Sequence, residues 1–277
     1  MTTSLKARAW RLTLPALAVL LAGCVTTVAT TTPASPGAPS DLRNRSTASD
    51  EPDAVKRGRA RMDLAAAYYG RGQMTTALDQ VKLSIQADPN SSPAFNLRGL
   101  IYGHLGELVL AEESFRRALQ LDPRDADAMQ NFGWFLCQQR RYDEAERLFG
   151  QALAVPSYRE RSRTLLALGV CQAKAGRLAD SEATLSKGYE LEPGNPALAV
   201  NLAEVLYQRG EYERARFYLR RLNSQSNLSN AGTLWLAARI ENRLGNHQGA
   251  RDLGTQLMNR FPDAREASLF QRGAYDD

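Results

Sequence analysis

Histidine and cysteine are scarce in this chain, with two of the first and three of the second among 277 residues. The ligands from which most zinc and other transition-metal sites are built are nearly missing, so a large metal centre is excluded. His104 and His247 lie far apart, and neither has a second ligand at helical spacing. Long apolar stretches are missing too. The one sustained run, Leu12 to Ala22, would make a helix about 16 Å long, short of the roughly 30 Å of a hydrocarbon core. No membrane-spanning helix is expected. Phosphate loops, nucleophile elbows and zinc-binding spacings are also lacking, so no enzyme activity, cofactor or small-molecule substrate is expected. The formal charge of +5 includes three cations at Lys6, Arg8 and Arg11, and the +2 that remains gives no basis for a nucleic-acid partner. Arginine clusters at Arg57/Arg59/Arg61, Arg159/Arg161/Arg163 and Arg214/Arg216/Arg220/Arg221 are interleaved with Asp and Glu, and read as solvated helix faces.

Residues 1–23 have the order of a secretory leader: a positive start, a short apolar stretch and small residues at the end. The tetrapeptide Leu21-Ala22-Gly23-Cys24 resembles the bacterial lipobox, which implies an acylated Cys24 as the first mature residue. Acyl chains contribute about 0.8 kcal/mol per buried methylene and would hold the protein on a bilayer without a spanning helix. Val25 stands where retained lipoproteins carry Asp, and by resemblance to sorted Gram-negative lipoproteins this implies the periplasmic face of the outer membrane. Residues 24–53 are rich in Thr, Ser, Pro and Ala and cannot bury enough surface to order themselves. They read as a tether with a reach on the order of 30 Å.

From residue 54 to 277 one folded domain is expected. Asp88-Pro89 and Asp122-Pro123 expose a period of 34 residues, which recurs with small offsets as units 58–91, 92–125, 126–161, 162–195, 196–230 and 231–264. The eighth position of each unit is small: Ala65, Gly99, Gly133, Gly169, Ala203 and Ala238. The twentieth is Ala77, Ala111, Ala145, Ser181, Ala215 and Ala250. Small side chains at two facing columns let the helices of a pair cross at about 8–10 Å, and larger apolar residues such as Leu64, Phe132, Leu168, Leu202, Phe115 and Phe149 fill the flanks. Gly72, Gly106, Gly176, Gly210 and Gly245 fall where the first helix of a unit must close in a left-handed conformation. Unit three has Arg140 at that place and a two-residue insertion between Val155 and Arg161. Unit five lacks the terminal proline, so 223–230 is expected to be loose, and 263–271 reads as a polar helix covering the last unit.

These columns resemble the tetratricopeptide repeat. The resemblance implies an all-α, right-handed superhelix of six helix pairs plus a C-terminal capping helix, with its first helices lining a concave face. On that face the ninth column gives Leu100, Trp134 and Val170 in the middle of the stack, with Asn96, Gln130, Gln138, Leu166, Tyr207, His104, Lys174 and Gln208 nearby. An apolar stripe rimmed by amides suits a protein segment, with Trp134 and Tyr207 as anchors. The alternative is that Trp134 packs between repeats. Recognition of a free chain terminus is not expected, because Asn131 lacks basic neighbours and Met62 and Asp127 stand in their places. Cys137 and Cys171 are one repeat length apart on neighbouring first helices, so a disulfide is expected, with two buried thiols as the alternative.

A narrower resemblance rests on Asn131-Phe132-Gly133-Trp134-Phe135-Leu136-Cys137, Tyr142-Asp143-Glu144-Ala145, Pro156-Ser157-Tyr158-Arg159 and Leu168-Gly169-Val170-Cys171. Together with six repeats behind a lipobox, these are similar to the PilW/PilF family of type IV pilus biogenesis lipoproteins. That resemblance implies a pilotin: an outer-membrane adaptor that binds the type IV pilus secretin subunit and promotes its localisation and multimer assembly, supporting twitching motility. The other function weighed is a lipoprotein scaffold for cell-wall enzymes or for outer-membrane barrel assembly.

Overall fold

The computed structural model describes residues 52–275. The leader, Cys24 and all but the last two residues of the expected tether lie outside the described residues. Within them the chain forms thirteen α-helices and no strand. Six antiparallel pairs follow one another: α1 (Asp53–Gly70) with α2 (Met74–Ala87), α3 (Ser92–Leu105) with α4 (Leu108–Leu121), and α5 (Ala126–Gln138) with α6 (Tyr142–Ala154). Then come α7 (Arg161–Lys174) with α8 (Leu178–Leu191), α9 (Pro196–Gln208) with α10 (Tyr212–Asn223), and α11 (Ala231–Arg243) with α12 (His247–Arg260), closed by α13 (Arg265–Gln271). Each pair packs against the next, and each first helix also touches the first helix of the neighbouring unit, which is the superhelical tetratricopeptide arrangement.

The unit starts read from the sequence coincide with helix starts at Ser92, Ala126, Pro196 and Ala231. Polar side chains set these starts: Ser91, Asp125, Asn195 and Asn230 each accept a hydrogen bond from a backbone N–H of the first turn. The first unit departs from the period. Helix α1 begins at Asp53, five residues ahead of Gly58 and inside the expected tether, with an acidic side chain where the helix dipole favours one.

The small columns lie at the helix crossings. Ala65, Ala77, Ala111, Ala145, Ala203, Ala215 and Ala238 are fully buried. A Cβ on Gly99 would stand 2.8 Å from the Phe115 ring, so the aromatic of the second helix rests on the bare backbone of the first. Leu64 corrects the expected core: it is 39% exposed, because among the described residues no preceding repeat covers it as Phe115 covers Phe132, two units later. The five predicted glycines all have φ between 75° and 79°, and Arg140 takes the same left-handed conformation at φ 61°.

The segment 223–230 is not loose. Arg260 donates to Ser229 Oγ at 3.0 Å and to the Ser226 carbonyl at 3.0 Å, Asn223 donates to the Thr233 carbonyl at 3.1 Å, and Asn230 with Thr233 forms a reciprocal cap. Side-chain hydrogen bonds thus replace the missing proline. At the far end α13 buries Ala267 and Leu269 against Leu234, Trp235 and Leu257.

Ion pairs join successive units along the turn edge. Arg141 bridges Glu112 and Glu144 at 2.7 Å each, Arg177 reaches Asp143 at 3.1 Å and Glu146 at 3.2 Å, and Glu182 takes Arg209 and Arg214. Arg214 and Arg216, read as solvated, belong to this system.

Candidate functional site

Three consecutive first helices, α3, α5 and α7, present Leu100, Trp134 and Val170 at equivalent positions. Asp125 fixes the start of α5 by accepting from Ala128 N at 2.9 Å, and Ser92 of the preceding unit donates to its other oxygen at 2.7 Å. The same two units are tied through Asn131, which donates to Asn96 Oδ1 at 3.2 Å. Cys137 and Cys171 form a disulfide with Cα atoms 5.8 Å apart, joining α5 to α7 beside this surface.

Two adjoining depressions open on the face. One of about 300 Å³ is lined by Leu100, Gln130, Trp134 and Gln138, with Tyr69 and His104 from the first two units. The other, of about 280 Å³, is lined by Gln130, Trp134, Leu166, Val170 and Asn201. Gln130, Trp134 and Arg163 belong to both, which makes them one trough. Trp134 is partly exposed, and the Lys174 ammonium lies 5.4 Å from its ring centre. Tyr69 donates or accepts across 3.0 Å to His104 Nδ1 at one end. Burial raises the Tyr69 phenol above its ordinary range, and the nearby Arg163 charge pulls it back. Burial and Asp125 push the Asp127 carboxyl up, while Arg163 draws it down.

Six of the eight residues expected in the groove line this trough: Leu100, Gln130, Trp134, Gln138, Leu166 and Val170. Asn96 and Tyr207 do not. Asn96 is 8% exposed and spent on Asn131. Tyr207 is also 8% exposed, packed on Tyr212 with the Arg239 guanidinium 4.7 Å from its ring centre, so little of its surface is left for a partner. Arg163 was missed because its cluster reads as a solvated face. Its spacing did carry a signal: it lies three residues before Leu166 and seven before Val170, on one stripe of α7.

A further depression of about 310 Å³ lies between α10, α11 and α12. Its buried Glu241 is already engaged by Asn246 at 2.8 Å and Arg216 at 3.5 Å, so this carboxylate is spent within the fold. Among the described residues no group of three His, Cys, Asp or Glu side chains stands close enough to hold a metal ion.

Stacked helix pairs of this period, pinched at small-residue columns, define a tetratricopeptide repeat protein. Tetratricopeptide repeat models match residues 92–125, 114–147, 135–196 and 172–233. The type IV pilus assembly protein PilF of Pseudomonas aeruginosa is 30% identical over 255 residues, covering 92% of this chain and 95% of that protein. The solved structure of Pseudomonas aeruginosa PilF superposes with a TM-score of 0.71 at 29% identity, covering 80% of this chain and all of that one. A crystal structure of PilW, described as a widely conserved type IV pilus biogenesis factor, gives 0.73 at 30% identity over 77% of this chain and 98% of that one. The chain belongs to this PilF/PilW family of tetratricopeptide repeat proteins of type IV pilus biogenesis.

Proposed function

We propose that this member of the family is a pilotin: an outer-membrane lipoprotein, on the periplasmic face, that captures the type IV pilus secretin subunit and promotes its localisation and multimer assembly. The observation that carries the reading is the trough around Trp134, a partly open aromatic flanked by the partly open Leu100, Leu166 and Val170, in a chain matched to PilF over nearly its whole length. Acyl chains on Cys24 supply the membrane address and residues 25–52 the reach; binding, not chemistry, does the work.

Affinity isolation from envelope extract with the full-length lipidated protein tests this. Wild type should retain the secretin subunit, Trp134→Ala should lose most of it while keeping its helicity and melting temperature, and Cys24→Ala should leave the secretin monomeric or in the wrong membrane. Normal outer-membrane multimers with either variant, or recovery of cell-wall enzymes or barrel-assembly proteins in place of secretin, would contradict the proposal.

A further inference from the structure

The trough holds polar groups that the fold does not consume. Gln130 is 4% exposed, yet its Oε1 has no hydrogen-bond partner. A buried amide oxygen left unpaired is costly, and this one is closed off from solvent, so it gains a partner from outside only when the Gln130 amide turns toward the depression that the residue lines. Arg163, shared by both depressions, makes no hydrogen bond or ion pair among the described residues; Asp127 lies near enough to feel its charge without pairing with it. This sets it apart from Arg141, Arg177, Arg209 and Arg214, each held by a carboxylate. Lys174 places a second cation above Trp134.

Building on the pilotin reading, we infer that the trough recognises an extended peptide segment combining an apolar and an acidic side chain. The apolar side chain rests on Trp134 and Val170, the carboxylate pairs with Arg163, and a main-chain N–H donates to Gln130 Oε1 as the amide turns outward. The dimensions fit a peptide: three neighbouring first helices at about 8–10 Å spacing give a track of about 16–20 Å, the length of five or six extended residues. Charge selects the acid. One free guanidinium with Asp127 beside it suits a singly charged carboxylate better than a phosphate, and pairing geometry favours the planar carboxylate. Recognition of this kind gives the unpaired Gln130 oxygen a partner and fixes the register of the bound backbone.

The test uses the full chain with overlapping 12-residue peptides tiling the secretin subunit, each acidic peptide paired with its Asp→Asn or Glu→Gln counterpart, read by fluorescence anisotropy. The binders should combine an apolar with an acidic residue, and the amide counterpart should bind wild type at least tenfold more weakly. Arg163→Gln should weaken the acidic peptide to the same degree and leave the amide peptide unchanged. Gln130→Leu should weaken both peptides, and N-methylation of a single peptide amide should erase the difference between Gln130→Leu and wild type. Equal binding of acid and amide peptides, or no effect of Arg163→Gln, overturns the inference. If intact secretin is retained by wild type and lost by Trp134→Ala while the charge exchange changes nothing, or while no peptide binds, the pilotin reading stands and this inference falls. Failure of wild type to retain intact secretin removes both.

Discussion

The side chain of Leu185 lies directly over Gly169, so close that a Cβ added to the glycine would stand 2.5 Å from Leu185 Cγ. On the same stretch of α7 the Gly169 carbonyl accepts a 2.7 Å hydrogen bond from Ser181 of α8, which fastens the two helices at their crossing. Gly169→Ala should therefore force α7 and α8 apart and cost about 1–3 kcal/mol, the usual range for overpacking. Gly150 is the control. It lies in α6, exposed, with nothing within 4 Å of the added carbon, so Gly150→Ala should gain about 0.4–1 kcal/mol from the unfolded state. Urea denaturation should move the two midpoints in opposite directions; a shared direction would mean that helix propensity, not the crossing, governs the small column.

Arg140 closes α5 at φ 61°, a conformation that the other five units assign to glycine. An L side chain there is held in a region costing about 1–2 kcal/mol, and this exposed side chain makes no hydrogen bond or ion pair among the described residues to offset it. Arg140→Gly should stabilise the protein by roughly 0.5–1.5 kcal/mol after allowance for the greater chain entropy of glycine. A midpoint unchanged or lowered in the same urea titration would show that the guanidinium makes a compensating contact in solution.

These two positions also show why the fold was so legible. A repeat places the same steric demand on six units, so Gly99, Gly133 and Gly169 announce one crossing geometry several times over, and the prolines and left-handed glycines mark the ends. Legibility fails where a position has no equivalent neighbour. Leu64 reads as core by its column, yet the first unit has no predecessor to bury it. Tyr207 reads as a groove aromatic, but Arg239 from the next unit lies over its ring, a pairing that no period encodes. Segment 223–230 lacks its proline, and only the fold brings Arg260 round to hold it. Charge was the hardest property to read: Arg163 and Arg214 sit in similar clusters, yet one lines an open trough and the other is clasped by Glu182 and Glu211.

Both sulfurs of the Cys137–Cys171 pair are buried, and the bridge closes a loop of 34 residues across units three and four. Loop-closure entropy for that length is worth about 3–4 kcal/mol at 25 °C. Purified oxidised protein should accept no thiol reagent at these positions when unfolded without reductant, and Cys137→Ala/Cys171→Ala should unfold at a lower urea concentration, with a loss of unfolding free energy in that range. Modification of both thiols in the unreduced unfolded protein would show that the bridge does not form.

Glu112 links units two and three through Arg141 at 2.7 Å and also takes Arg116 at 2.6 Å. The hydrogen bond from Arg141 holds its carboxyl below the ordinary carboxylate range, with burial opposing and Arg116 adding to the depression. The sign follows from linkage. A carboxylate whose folded pKa lies below its unfolded one stabilises the fold fully above the unfolded value of about 4.3, and the contribution is lost as pH falls from there through the folded value. Because the pair is partly solvated, its worth at neutral pH is about 0.5–1 kcal/mol. Glu112→Gln should therefore melt below wild type at pH 7, and the gap should narrow as pH falls below about 4.3. A gap in melting temperature that stays constant from pH 7 to pH 3 would show that Glu112 acts through packing and hydrogen bonding rather than through its charge, and the ladder of arginines along the turn edge would then be steric in origin.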